Sequence, residues 1–205
     1  MTYNDVVFGE IPNSCIEINN NELRARLGKG FDADQEDVCS LVERCSAAAR
    51  YRYAYVKLPC VIKGDLCELG FASVASQGLS QMLSGCEQAV VMALTVGLEV
   101  DRLIMAEHIR GLASGYIADA VGSALVESLA DTVCERIGEN RTNRFSPGYA
   151  DLPVELNKKI LHRLNSESTV GVKLTDGMLM VPMKSITAIV GIKENRKEAF
   201  NEKYS

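Results

Sequence analysis

The amino-acid sequence predicts an α+β fold built around a mainly antiparallel, twisted sheet with packed helices. Three observations lead there. The stretch from Leu98 to Ile137 repeats apolar and small residues at helical spacing. Short β-branched runs punctuated by glycine and proline read as strands. Helices are mixed with strands that lack polar–apolar alternation, a combination that suits α+β. With 205 residues, 47% of them hydrophobic, the chain can close one sizeable core. Residues 1–205 are therefore read as a single domain.

Residues 1–30 receive no assignment. The first helix is read from "FDADQEDVCSLVERCSAAARYR", with Asp32 as its cap, Gln35 three residues later, and Val38, Leu41, Val42 and Cys45 on one face. "YAYVKLPCVIKGDLCELG" then suits two short strands joined by a turn, with Pro59 and Lys63-Gly64-Asp65 as interruptions. "SQGLSQMLSG" reads as a short helix, and "EQAVVMALTVG", an apolar run, as a buried strand.

The segment Leu98 to Ile137 is read as two successive helices, with Met105, Ile109, Leu112, Tyr116, Ala120, Ala124 and Leu125 at helical spacing. Gly111, Gly115, Ala118 and Gly122 recur within it at three- and four-residue steps. Glycine costs about 1 kcal/mol against alanine inside a helix, so something must approach that face closely. Two explanations stand: close packing of helix on sheet, or a flat surface for a partner's helix or cofactor.

In the C-terminal third a helix is expected from about Leu152 to Leu164, capped by Asp151 with Pro153 in its first turn. Thr175-Asp176-Gly177 marks a turn, Pro182 an interruption, and Ile186 to Ile192 a β-branched strand. Residues 193–205 form a charged tail expected to be solvated.

Composition removes several functions. A net charge of −5, with basic residues scattered among acids, offers no field for a nucleic acid. No apolar stretch reaches the roughly 18 residues of a spanning helix, and the N-terminus lacks the pattern of a signal peptide, so a cytoplasmic protein is expected. The seven cysteines form no CxxC pair and read as reduced, mostly core thiols. With only His108 and His162, no histidine-based metal site is expected.

No nucleophile elbow, P-loop, GxGxxG or paired-carboxylate motif is read in the sequence, and Ser146 has no nearby histidine to serve as its base. Asp101, Glu107 and Glu127 are read as a solvated helix face with no catalytic role.

One short constellation does invite chemistry: "RFSPGY", Arg144 to Tyr149. A guanidinium can hold a carboxylate through two parallel hydrogen bonds, which lysine cannot imitate. Pro147-Gly148 suits a type II turn in which Gly148 supplies a positive φ and lets a ligand approach the main chain. Tyr149 offers a π face to a heterocycle or a cation. Such a loop fits a small zwitterion with an aromatic or cationic end. The alternative is a plain connection with Arg144 in a surface salt bridge and Tyr149 in the core, the commoner case for so short a motif.

The order of motifs beyond that loop resembles the activation, or reactivation, domain of cobalamin-dependent methionine synthase. The loop is followed by Asp151-Leu152-Pro153 and by "GVKLTDGMLMVPMKSITAIVGI", where Leu174, Thr175, Met180, Pro182, Ser185 and Ile186 match the family's pattern. "ALTVGLEVDRLI" and "ADAVGSALVESLAD" resemble the family's middle region, so the likeness runs over about residues 72–192. It implies a domain that binds S-adenosylmethionine and presents it to a separate cobalamin-binding module. In that family cob(II)alamin is reduced by one electron from a flavodoxin-like donor and remethylated by S-adenosylmethionine, within methionine biosynthesis.

The resemblance also implies roles. Arg144 would hold the methionyl carboxylate, the backbone of Ser146 and Gly148 would line the ligand, and Tyr149 would lie beside it. Val190 and Gly191 stand where the family has a pair of aromatics near the adenosyl group. The family carries a further acidic ligand residue in a longer N-terminal stretch, for which no residue of this chain is assigned. Cobalamin would enter only through the partner, a methionine synthase lacking its own activation domain. The alternative is a docking module for a corrinoid protein that has lost S-adenosylmethionine binding.

Overall fold

A computed structural model of the chain describes residues 5–138 and 140–193. The tail expected at 193–205 lies, beyond Lys193, outside the described residues. Four antiparallel strands make the central sheet, in the order β1 (Val7–Ile11), β2 (Tyr51–Pro59), β6 (Cys86–Thr95), β9 (Ser185–Lys193). Three short strands, β3 (Val61–Lys63), β4 (Leu66–Glu68) and β5 (Ser73–Ala75), form a second sheet, and β7 (Lys173–Leu174) pairs with β8 (Met180–Val181). The expected mainly antiparallel α+β architecture is found.

Strand β6 shows why alternation is missing from the sequence. Val90, Met92 and Leu94 enter one apolar cluster, while Ala89, Val91 and Ala93 enter another on the opposite face. All six are fully buried. A sheet covered on both faces needs apolar residues at every position, so the period of two disappears.

The first cluster is covered by α1 (Asn20–Leu27), α2 (Glu36–Ala48), α4 (Leu98–Arg110) and α5 (Leu112–Ile137). The second is covered by α3 (Gln77–Met82) and α6 (Leu156–Leu164), followed by the short α7 (Ser166–Thr169). None of the helices in the described residues is long and apolar enough to cross a membrane. Five of the cysteines are buried and two, Cys15 and Cys39, are exposed; none is paired. Burial raises the Cys45 and Cys60 thiols to about 11, which makes them unreactive packing groups.

The two successive helices over Leu98 to Ile137 are as the spacing predicts, and Gly111 is the break between them. The small-residue stripe is explained by packing inside the chain, though the surface it meets is a helix rather than the sheet. A Cβ on Gly115 would lie 2.2 Å from Nδ1 of His108 on α4, and one on Gly122 would lie 2.9 Å from Cδ1 of Ile104. That face is therefore taken by α4 and is not open to a partner.

Other expectations are corrected. Residues 7–11 and 20–27, left unassigned, form β1 and α1, the latter capped by the Asn19 side chain on the N–H groups of Asn21 and Glu22. Asp32 does not cap α2, which begins four residues later at Glu36. Asp101 and Glu107 are not solvated. Asp101 is buried and accepts hydrogen bonds from the Met183 and Lys184 N–H groups, and buried Glu107 pairs with Arg44 and Arg110. Both hold elements together.

Asp151 caps a helix, but not the one that follows it. Helix α6 begins only at Leu156, after two further turns. The Asp151 carboxylate instead accepts from the Ser76 hydroxyl and from the N–H groups of Gln77 and Gly78, at the start of α3. This ties the loop after Tyr149 to a helix 73 residues earlier in the chain.

The Ser76 hydrogen bond, with those from Gln77 and Gly78, holds the Asp151 carboxyl below its ordinary value of 3.8. The folded state therefore binds that proton less readily than the unfolded chain. The resulting stability is present above the ordinary value and is lost as pH falls through the lowered one. Asp151→Asn is expected to melt below wild type at neutral pH, with the gap closing under acid. A gap that does not narrow toward about pH 3 would show that the charge contributes nothing.

Candidate functional site

The loop after α5 is held against the edge of the central sheet. Phe145 exchanges two backbone hydrogen bonds with Ile189, each 2.9 Å, and Thr142 donates its N–H to the Gly191 carbonyl. Residues 141–145 thus cover the open side of β9, an edge that would otherwise present unpaired backbone groups. Phe145 lies so close to α3 that a Cβ on Gly78 would come within 2.8 Å of its ring.

Past Phe145 the chain turns outward. The Tyr149 N–H donates to the Ser146 carbonyl at 3.1 Å, and Gly148, in the third position of that turn, has φ +88°. This is the geometry a type II turn requires, and it explains the glycine. Tyr149 is 67% exposed and meets Phe145 edge to face with ring centroids 5.5 Å apart. It is not in the core.

Between this loop and α5 lies an open cleft of about 450 Å³, lined by Glu127, Asp131, Cys134, Arg141, Asn143, Arg144, Ser146 and Tyr149. Arg144 stands within it and is itself paired. Its Nη1 lies 2.5 Å from Asp131 Oδ1 and its Nη2 2.8 Å from Glu127 Oε2. Burial opposes the charge of Arg144, yet the hydrogen bond and charge of Asp131, with the charge of Glu127, outweigh it and hold the guanidinium protonated. Arg26 reaches the other oxygen of Glu127 at 3.4 Å, and Arg141 donates from Nε to the Cys134 carbonyl near the end of α5. Cations and carboxylates therefore alternate along one wall.

Arg144, Ser146 and Tyr149 are thus brought together, and Gly148 completes the turn that joins them. Val190 and Gly191 are not at the cleft. Val190 is fully buried in the cluster beneath α5, and a Cβ on Gly191 would lie 2.6 Å from the Cys86 sulfur and 2.9 Å from Leu83. Residues 190 and 191 leave no room there for an aromatic side chain. Of the two readings of the loop, the salt bridge is present and the core tyrosine is not.

Two residues of the cleft escaped the sequence reading, which placed Glu127 on a solvated face and passed over Asp131. The signal was available: they stand at i and i+4 in an otherwise apolar helical run, which puts both carboxylates on one face.

The order of elements around this cleft has known counterparts. Residues 136–201 match the sequence model of a family described as vitamin B12 dependent methionine synthase, activation domain. A crystal structure of the MetH reactivation domain bound to AdoHcy superposes with a TM-score of 0.66 at 19% identity, covering 91% of this chain and 78% of that one. The chain resembles a methionine synthase activation domain in sequence and in fold. No match was found among curated proteins. The family match takes in the Arg144 loop, α6 and β9 but begins after Glu127 and Asp131. In this chain the packing of the loop on α5 puts those two carboxylates, which lie outside the family match, beside the arginine.

Proposed function

We propose that the chain is a reactivation module that binds S-adenosylmethionine in the cleft between α5 and the Arg144 loop. It would offer that ligand to a cobalamin-binding partner for reductive remethylation of cob(II)alamin. The observation that carries this reading is Arg144 set between Glu127 and Asp131 on the wall of the cleft. A methionyl group is a zwitterion, and this wall offers a cation for its carboxylate and carboxylates for its ammonium. A guanidinium has five N–H donors, so the two ion pairs leave capacity for an incoming carboxylate.

The volume of about 450 Å³ lies within the range of small-ligand sites. Exposed Tyr149 supplies a face for the adenine or the sulfonium. The AdoHcy bound by the structural neighbour supports the same ligand class. When bound, S-adenosylmethionine supplies the methyl group. The residues of the chain would bind and orient it, and no general base is needed.

A second reading has its own observation. Arg144 is already engaged by two carboxylates, and Val190 and Gly191 are closed off from the cleft, so the chain could keep the fold as a docking module without the ligand. Calorimetric titration with S-adenosylmethionine separates the two. Saturable heat, competed by AdoHcy, is expected. Its absence favours the docking module, and association with a methionine synthase lacking its own activation domain is then the property to measure.

A further inference from the structure

On the opposite side of the central sheet from α5, helix α6 gathers cations that the proposed function does not use. Lys158, Lys159 and Arg163, with the imidazole of His162 beside them, fall within six residues of a chain whose net charge is −5. Lys158, Lys159, His162 and Arg163 line a depression of about 460 Å³ together with Phe71. Their spacing makes two rows one helical turn long, Lys158 with His162 and Lys159 with Arg163.

Fold stability does not account for the lysines. His162 and Arg163 lie in the last turn of α6, where the helix dipole favours positive charge. Lys158 and Lys159 lie in its first turn, where the dipole opposes them, and no acidic residue shares that turn. Among the described residues neither lysine takes part in an ion pair.

Arg163 adds an independent observation. It is only 6% exposed, and its Nη2 pairs with Asp5 at 2.5 Å, but its Nη1 is buried with no hydrogen-bond partner among the described residues. A buried guanidinium nitrogen without a partner is rare, and it leaves the positive charge of Arg163 met at one nitrogen alone on the inner wall of the depression.

We propose that this depression binds an organic phosphate. The phosphate sits on Lys158 and Lys159, its negative charge compensates the inner wall formed by Arg163, and the organic group lies against Phe71. Lysines held on a fixed helix suit a compact multivalent anion, and the aromatic wall selects one with an apolar or heterocyclic part. A neighbouring depression, which shares Lys158 and His162, includes Glu167 and is the less suited to an anion.

Isotope-labelled full chain titrated with pyrophosphate at low ionic strength, followed by amide chemical shifts, tests this. Saturable shifts confined to Phe71 and residues 158–163 are expected, with ADP saturating at lower concentration than pyrophosphate. The double variant K158E/K159E, whose changes are on exposed positions, is expected to weaken both ligands at least about tenfold with an unchanged fold by circular dichroism. Shifts that never saturate, equal affinity in the double variant, or shifts at the Arg144 cleft instead would overturn the site. ADP binding no tighter than pyrophosphate would overturn the role of Phe71. Saturation by a polyglutamate peptide with no response to pyrophosphate would replace the small ligand by an acidic protein surface.

Discussion

Gly115→Leu is expected to destabilise the protein by about 3 kcal/mol, a fall of roughly 6–12 °C in melting temperature for a chain of this size. The Cβ alone would sit 2.2 Å and 2.5 Å from Nδ1 and Cγ of His108 and 2.8 Å from its Cα. The first two contacts involve a side chain that can move. The third involves the backbone of α4, so relief requires the two helices to part. Even Gly115→Ala, which gains about 1 kcal/mol of helix propensity, is expected to lose stability overall, since overpacking typically costs about 1–3 kcal/mol.

Adding His108→Ala to Gly115→Ala separates the two contributions. It removes the ring contacts and leaves the one to Cα, so partial recovery is expected. Full recovery would mean that the helix backbones are not in contact there. An unchanged melting temperature in Gly115→Leu would mean that α4 does not occupy this face at all.

That packing was half legible in the sequence. Glycines at three- and four-residue steps require a close neighbour, but the sequence does not say which; α4 packs on α5 because the helical run breaks at Gly111. The turn at Gly148 was fully legible, since Pro-Gly and its positive φ are local properties. Strand β6 was legible as buried because both its faces are covered. Strand β1 and helix α1 were not: β1 is an edge strand with Val7 and Phe8 exposed, and α1 buries only Leu23 and Leu27. Asp151 was recognised as a cap and assigned to the wrong helix, because a carboxylate before an apolar run does not reveal that α3 lies closer in space. For the same reason Arg144 could be picked out for its chemistry, while the spacing of Glu127 and Asp131 told of a shared helix face but not that the arginine lies against it. Partners on another element are fixed by the fold, and local spacing gives only their common face.

Those carboxylates sharpen what removal of Arg144 should do. In Arg144→Ala the affinity for S-adenosylmethionine is expected to fall by about one to two factors of ten, the equivalent of about 1.5–3 kcal/mol for a lost charge-assisted pair. The loss should sit at the upper end, because Glu127 and Asp131 remain as an unneutralised pair facing the incoming carboxylate. Arg144→Lys should recover little, since a point charge cannot bridge two acids and a ligand as the planar fork does. The arginine also ties the loop to α5, so the variants must be melted without ligand to separate a loosened loop from a lost contact. Two ion pairs at a half-buried site should alter stability only modestly, since side-chain exposures of 24% to 47% leave them screened by water. A loss of binding far larger than the loss of stability would assign the effect to direct contact. Glu127→Gln and Asp131→Asn complete the series: neutralising these carboxylates frees the fork for the ligand's carboxylate but removes the seat for the ammonium, so weaker binding in both would place the amino group on that wall. Equal affinity in wild type, Arg144→Ala and Arg144→Lys would end the role of the arginine in ligand binding and leave it as the strut that holds the loop to α5.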